Sequence, residues 1–121
     1  MILKFKTDKK IIALGDKGQE IGYLDFGYSQ DASNNRNIDI IYMHVKPEYR
    51  KMHIGSAMIK FLIDNKPDVV WISLWTGKEM ERIKGNKFYI KNGFKKMCHH
   101  KDYYEKGIGT TLFARKINER I

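Results

Sequence analysis

Residues 38–62 read Ile38-Asp-Ile-Ile-Tyr-Met-His-Val45-Lys-Pro-Glu-Tyr-Arg50-Lys-Met-His-Ile-Gly55-Ser-Ala-Met-Ile-Lys-Phe-Leu62. From Ile38 to Val45 the side chains are mostly β-branched or aromatic, the types that fit a pleated surface. Lys46-Pro47 stops that run, because proline donates no N–H to a ladder and restricts the residue before it. From Ile54 the apolar residues Ala57, Met58, Phe61 and Leu62 recur at the spacing of one helix face. The helix should end near Asn65-Lys66-Pro67. Val69 to Leu74, Val-Val-Trp-Ile-Ser-Leu, is then a short apolar run of the kind a buried central strand carries. A strand–helix–strand unit of this size makes its two strands parallel neighbours.

Working outward, the reading predicts strands over Ile2 to Lys6, Ile11 to Leu14 and Glu20 to Tyr28, with Asp16-Lys17-Gly18 as a hairpin turn. Alternation in the third places Ile21, Tyr23 and Asp25 on one face and Leu24 and Phe26 on the other. Gly22 and Gly27 suggest bulges or a close backbone approach. Ser29 to Asn37 is polar and reads as an exposed loop. Downstream, Lys78 to Lys91 is helical, weakened or divided at Gly85, and Asn92-Gly93 supplies a left-handed stop. A strand opens at Phe94, and Thr111 to Ile117 is the last. The expected fold class is α/β, a mixed sheet with the fourth and fifth strands as a parallel central pair.

The composition suits that expectation. The 121 residues, 42% hydrophobic and 31% charged, fit a single domain over 1–121, and the absence of a long apolar run or of a signal-like start places the chain in the cytoplasm with no membrane role. Cys98 alone cannot form an internal disulfide. Twenty-three Lys and Arg against fourteen acidic residues give +9, so the surface attracts anions: a phosphate-bearing cofactor, a nucleic acid or an acidic protein.

The turn between strand four and the long helix is where that charge becomes specific. A basic, Gly-containing turn at a helix start leaves backbone N–H groups unpaired beside the positive end of the helix dipole, which is a cradle for pyrophosphate. Gly55 permits close backbone approach, Ser56 adds a hydroxyl donor, and Arg50 or Lys51 neutralises charge. Cys98-His99-His100 points alternately along a strand and lacks a second ligand pair at zinc spacing, so no metal is expected. Gly107-Ile-Gly109 reads as the turn before the last strand, since no helix follows it.

Arg50-x-x-His53-x-Gly55 resembles the acetyl-coenzyme A signature of the GNAT N-acetyltransferase family, Gln/Arg-x-x-Gly-x-Gly/Ala. Phe88-Tyr-Ile-Lys-Asn-Gly-Phe94 is similar to the family's later block, Phe-Tyr-x-Lys-x-Gly-Phe. The resemblance covers about Ile11 to Ile117 and implies a mostly antiparallel sheet splayed around acetyl-CoA. It implies that the strand end Met43, His44 and Val45, the loop Arg50, Lys51, Met52, His53, Ile54, Gly55 and Ser56, and Tyr89 hold that donor. Tyr89 would protonate the departing thiolate, and backbone N–H near Val45 would polarise the thioester carbonyl. Asp39 stands where family members acting on protein lysine carry a catalytic glutamate, and His44 is the rival base.

Three departures from the pattern bear on function. His53 replaces the first motif glycine, Arg82 replaces a common asparagine, and Lys6 to Ile11 leaves little room for the two helices that usually follow the first strand. Their reduction or loss implies an open acceptor site. Strand alternation predicts Asp39, Ile41, Met43 and Val45 on one face and Ile40, Tyr42 and His44 on the other. Trp71 and Trp75 read as core or groove-lining. The implied activity is direct acetyl transfer to a primary amine, most plausibly a protein lysine. Transfer to an aminoacyl-tRNA is the first alternative. The second is a degenerate module that binds nucleic acid or protein, with the aromatics between Lys84 and Lys106 stacking on a polyanion.

Overall fold

The computed structural model describes residues 1–29, 37–82 and 86–117. The expected loop at 30–36 and the helix division at Gly85 lie outside those residues. Seven strands form one sheet: β1 (Ile2–Thr7), β2 (Lys10–Leu14), β3 (Glu20–Tyr28), β4 (Asn37–Val45), β5 (Trp71–Trp75), β6 (Lys95–Glu105) and β7 (Ile108–Lys116), in the spatial order β1-β2-β3-β4-β5-β7-β6. Only the β4–β5 contact is parallel; the other five are antiparallel. A 3₁₀ turn (Pro47–Met52) and α1 (Ile54–Asp64) cross from β4 to β5, and two short helices, α2 (Lys78–Arg82) and α3 (Lys87–Lys91), lie between β5 and β6. Within the region expected to be helical from Lys78 to Lys91, the described residues hold two five-residue pieces, and two inner strands start away from their expected bounds: β5 begins at Trp71 and β7 at Ile108.

One core joins the helices to the sheet. Met58, Ile59 and Leu62 of α1 pack with Ile11, Leu24, Phe26, Ile38 and Ile72, and Tyr89, Phe94 and Phe113 continue the same cluster. Both crossovers, β4 to β5 and β5 to β6, run the same way across the sheet, so the right-handed rule sends their helices to the same face. β1 joins β2 through Asp8-Lys9 alone. No helix is inserted there, and the opposite face keeps Ile41, Tyr42, Trp71 and Trp75 exposed.

Two bulges overturn two of the expected alternations. In β3, Ala13 faces Gly22 but Leu14 faces Glu20, so Ile21 is the extra residue and turns into the core with Leu24 and Phe26 rather than outward with Tyr23. In β4, Asp25 faces Tyr42 but Phe26 faces Ile40, leaving Ile41 unpaired. Ile38 and Ile40 are buried before the bulge, and Met43 and Val45 pack against the core after it. Asp39 is therefore not on the side of Met43 and Val45.

Turn chemistry matches expectation more closely. Gly18, Gly93 and Gly107 all have φ near +80°, a conformation glycine adopts without steric cost. At the end of α3, the N–H of Gly93 bonds to Ile90 and that of Phe94 to Tyr89, closing the helix at Asn92-Gly93.

Candidate active site

The helix start is built on His53. It occupies the left-handed region, φ 58° and ψ 27°, and serves as the cap of both the 3₁₀ turn and α1. Glycine is usual here because an L side chain in this region is strained. No side chain caps α1, its first turn contains no carboxylate, and the Ala57 N–H is the first to bond within the helix, to the His53 carbonyl. The N–H groups of Ile54, Gly55 and Ser56 are left for an external acceptor. Lys51, Met52 and His53 are exposed around them.

Gly55 does a different job from the one its motif suggests. It is buried, and a Cβ there would meet the Phe88 ring at 3.0 Å and the Met43 methyl at 3.7 Å. Its missing side chain lets α3 and β4 close on the first turn of α1. Arg50 is also partly committed: its Nε donates to the Val45 carbonyl at 3.0 Å, bracing the end of β4. Lys51 is an exposed cation beside the helix start with no side-chain partner among the described residues. The loop fits a pyrophosphate, with three free donors, an exposed lysine and no carboxylate in the helix's first turn.

β4 and β5 pair only at Asn37–Trp71, Ile38–Ile72 and Asp39–Ser73. Beyond that rung they part, so the edge of β4 from Ile40 to Val45 has no β5 partner. The Asp39 carboxylate stands at the fork, where its Oδ1 accepts from Ser73 Oγ at 2.6 Å. Ser73 was not singled out from the sequence; its signal is a hydroxyl inside an otherwise apolar run. His44, the rival base, lies on the same open face as Asp39, its ring 5.9 Å from Tyr23, which stacks on Tyr42.

Tyr89 is buried on the helix side, in contact with Phe88, Phe94 and Phe113. Burial disfavours the phenolate and raises its pKa above the ordinary 10.0. No group among the described residues bonds to its hydroxyl, which thus stays a protonated, uncommitted donor at neutral pH. The structure groups Met43, Gly55, Phe88 and Tyr89 on the helix side and sets Asp39 and His44 on the other. Arg82 turns from the cleft toward the β6 tip, its Nη2 2.7 Å from Glu105 Oε1, with Lys78 at 3.3 Å from the same oxygen.

Fold and site together define an α/β protein with a helix start that fits a phosphorylated ligand beside a parted strand pair. The acetyltransferase (GNAT) domain model matches residues 7–96 of the 121, and the chain belongs to that family. It is accordingly an N-acetyltransferase, with acetyl-CoA as donor. Among solved structures it is similar to a GNAT-family acetyltransferase from Desulfovibrio desulfuricans, with TM-score 0.77 and 16% identity over 90% of this chain and 68% of that one. The NatC complex bound to Gag peptide and CoA matches with TM-score 0.73 and 22% identity, over 90% and 71%. An aminoglycoside 6'-N-acetyltransferase complexed with coenzyme A matches with TM-score 0.72 and 16% identity, over 93% and 74%. No curated protein matches the chain in sequence.

Proposed function

We propose that residues 1–121 act as one catalytic domain that moves the acetyl group of acetyl-CoA directly onto the side-chain amine of a protein lysine. The observation that carries this reading is the position of Asp39: exposed, at the rung where β4 and β5 part, on a sheet face that no helix among the described residues covers. An extended polypeptide can lie across such a face, with its lysine reaching the fork.

The donor's pyrophosphate would be held by the N–H groups of Ile54, Gly55 and Ser56 with Lys51, and its pantetheine arm by the open edge of β4 at Met43, His44 and Val45. Asp39 holds the lysine ammonium and takes one proton, with Ser73 fixing the carboxylate's orientation; His44 is the other group on that face able to do so. The neutral amine attacks the thioester carbonyl, an N–C bond forms, and the oxyanion is met by backbone N–H near Val45. When the C–S bond breaks, the thiolate takes a proton from Tyr89, and the excess proton shed by the new amide nitrogen passes through solvent to restore the phenol, while Asp39 releases its proton to solvent. No covalent enzyme intermediate is required.

Calorimetric titration with acetyl-CoA, followed by mass-spectrometric assay of lysine peptides, tests the proposal. Saturable binding and a mass gain of one acetyl group on the lysine are the expected results; binding without transfer to any lysine peptide overturns the acceptor assignment. The net charge of +9 supports a second reading, transfer to the amine of a charged transfer RNA. That acceptor would show a steep loss of affinity with salt.

A further inference from the structure

Beside the parted strands, on the uncovered face, the β6–β7 hairpin and the end of β5 enclose a cavity of about 300 Å³ lined by Trp75, His100, Tyr103, Tyr104 and Thr110. Its walls are almost entirely π-surface. The Trp75 and His100 rings are 5.4 Å apart, His100 and Tyr103 6.5 Å, and Tyr103 stands perpendicular to Tyr104 at 5.1 Å. Trp75 is 49% exposed and Tyr103 66%, unusual for rings that could have packed inward. No carboxylate among the described residues lines the cavity.

The walls are fixed in place. Tyr104 Oη and Thr110 Oγ1 both donate to the Thr76 carbonyl, at 3.0 and 2.8 Å. The hairpin tip is held by Asp102, which takes φ 57° and accepts the Gly107 N–H at 2.6 Å. At Gly109 a Cβ would collide with the His100 carbonyl, so this glycine is what lets β6 close on β7. A pocket pre-organised by hydrogen bonds loses little entropy when it is filled.

We infer that this pocket takes an aromatic side chain flanking the acceptor lysine, so that the protein selects lysines with Phe, Tyr or Trp within one or two positions. The inference rests on the acceptor reading above. Three observations carry it. The volume accommodates one aromatic side chain. Ring-lined walls favour another ring in edge or offset contact. The distance also fits: Trp75 is two residues beyond Ser73 on the same face of β5, so the pocket begins about 7 Å from the Asp39–Ser73 pair. One or two residues of extended peptide span that gap, with the lysine reaching the fork.

The test compares two lysine peptides differing only in Phe or Ala beside the lysine. The Phe peptide should be acetylated with kcat/KM about tenfold higher, mainly through KM, and the ratio should fall to within about twofold in Trp75→Ala and in Tyr103→Ala. Equal rates in the wild type, or a ratio that survives both substitutions, overturn the inference. A second arm separates it from failure of the acceptor reading. In a Trp71→Phe background, Trp75 fluorescence is titrated with the same peptides carrying arginine in place of lysine, which cannot be acetylated. Saturable change with the Phe peptide alone supports the pocket even if neither lysine peptide turns over. No change with the Phe peptide, or change only with a single-stranded oligonucleotide, overturns it.

Discussion

At the scale of single residues, the strained position is His53. Its left-handed backbone is the geometry that glycine in this motif serves, and a non-glycine residue there costs about 1–2 kcal/mol, partly offset by the greater unfolded-state freedom of glycine. His53→Gly should therefore raise unfolding stability by about 1 kcal/mol in a urea titration, with acetyl-CoA affinity kept or improved; lower stability would mean that the imidazole makes contacts outweighing the strain. Tyr89 gives a prediction with a definite sign. Its folded pKa is raised by burial, so its contribution to stability is intact below about pH 10, the unfolded value, and fades as pH climbs through the raised folded value. Thermal melts should show a loss above pH 10 that Tyr89→Phe reduces, and the same variant should lower kcat more than acetyl-CoA affinity. Asp39→Asn should lower kcat by about 10²-fold, with donor binding unchanged in calorimetry, because the carboxylate lies across the sheet from the phosphate-binding loop. Unaltered kcat would transfer the role to His44. None of these roles depends on a side chain the sequence concealed; what was hidden was Ser73, an ordinary residue until the parallel register set it 2.6 Å from Asp39.

At the scale of elements, the close fit of α1, α3 and β4 turns on the absence of a Cβ at Gly55. Gly55→Ala would push against the Phe88 ring at 3.0 Å and should destabilise the fold by about 1–3 kcal/mol. Phe88→Leu should recover part of that loss, so a double-mutant cycle in denaturant must be non-additive; additive losses would show that the ring yields freely. α1 itself was legible, because a helix with one buried face writes its period into the sequence, and so were the turns at Gly18, Gly93 and Gly107. The crossover also followed from local pattern, since a strand, a helix and an apolar run in that order admit essentially one handedness. The two bulges were not legible. Whether Ile21 or Ile41 is skipped is decided by the partner strand's register, a non-local quantity, and that single omission reversed the face assigned to Met43 and Val45. The helical region after β5 was legible in outline; Lys78 to Arg82 carries no fully buried residue, and besides the packing of Met80 it is held by Lys78 and Arg82 gripping Glu105. Those cations lower the Glu105 pKa, so the clasp is complete above the ordinary carboxylate range and weakens as pH falls through the depressed value.

At the scale of the whole molecule, the helices among the described residues lie on one sheet face, and the net charge of +9 surrounds both faces. The proposed donor site benefits, because a field of this sign draws a polyphosphate toward the protein. The proposed acceptor faces a conflict, because a lysine peptide approaches a positive protein as a cation. Asp39 is a local answer at the fork, and the Lys10–Asp25 and Lys6–Glu20 pairs moderate the open face nearby. Long-range repulsion should still favour peptides whose other residues are acidic. With 50 mM salt, a lysine peptide flanked at a distance by Asp or Glu should show several-fold higher kcat/KM than its Lys- or Arg-flanked counterpart. Raising salt to about 0.5 M shortens the Debye length to about 4 Å and should bring the two within about twofold, while acetyl-CoA binding weakens in the same titration. The two halves of that expectation rest on the same charge and must move together. A peptide preference that persists at high salt would place an acid-reading contact on the open face itself, and donor affinity indifferent to salt would assign pyrophosphate recognition to the backbone N–H groups of α1 without help from Lys51.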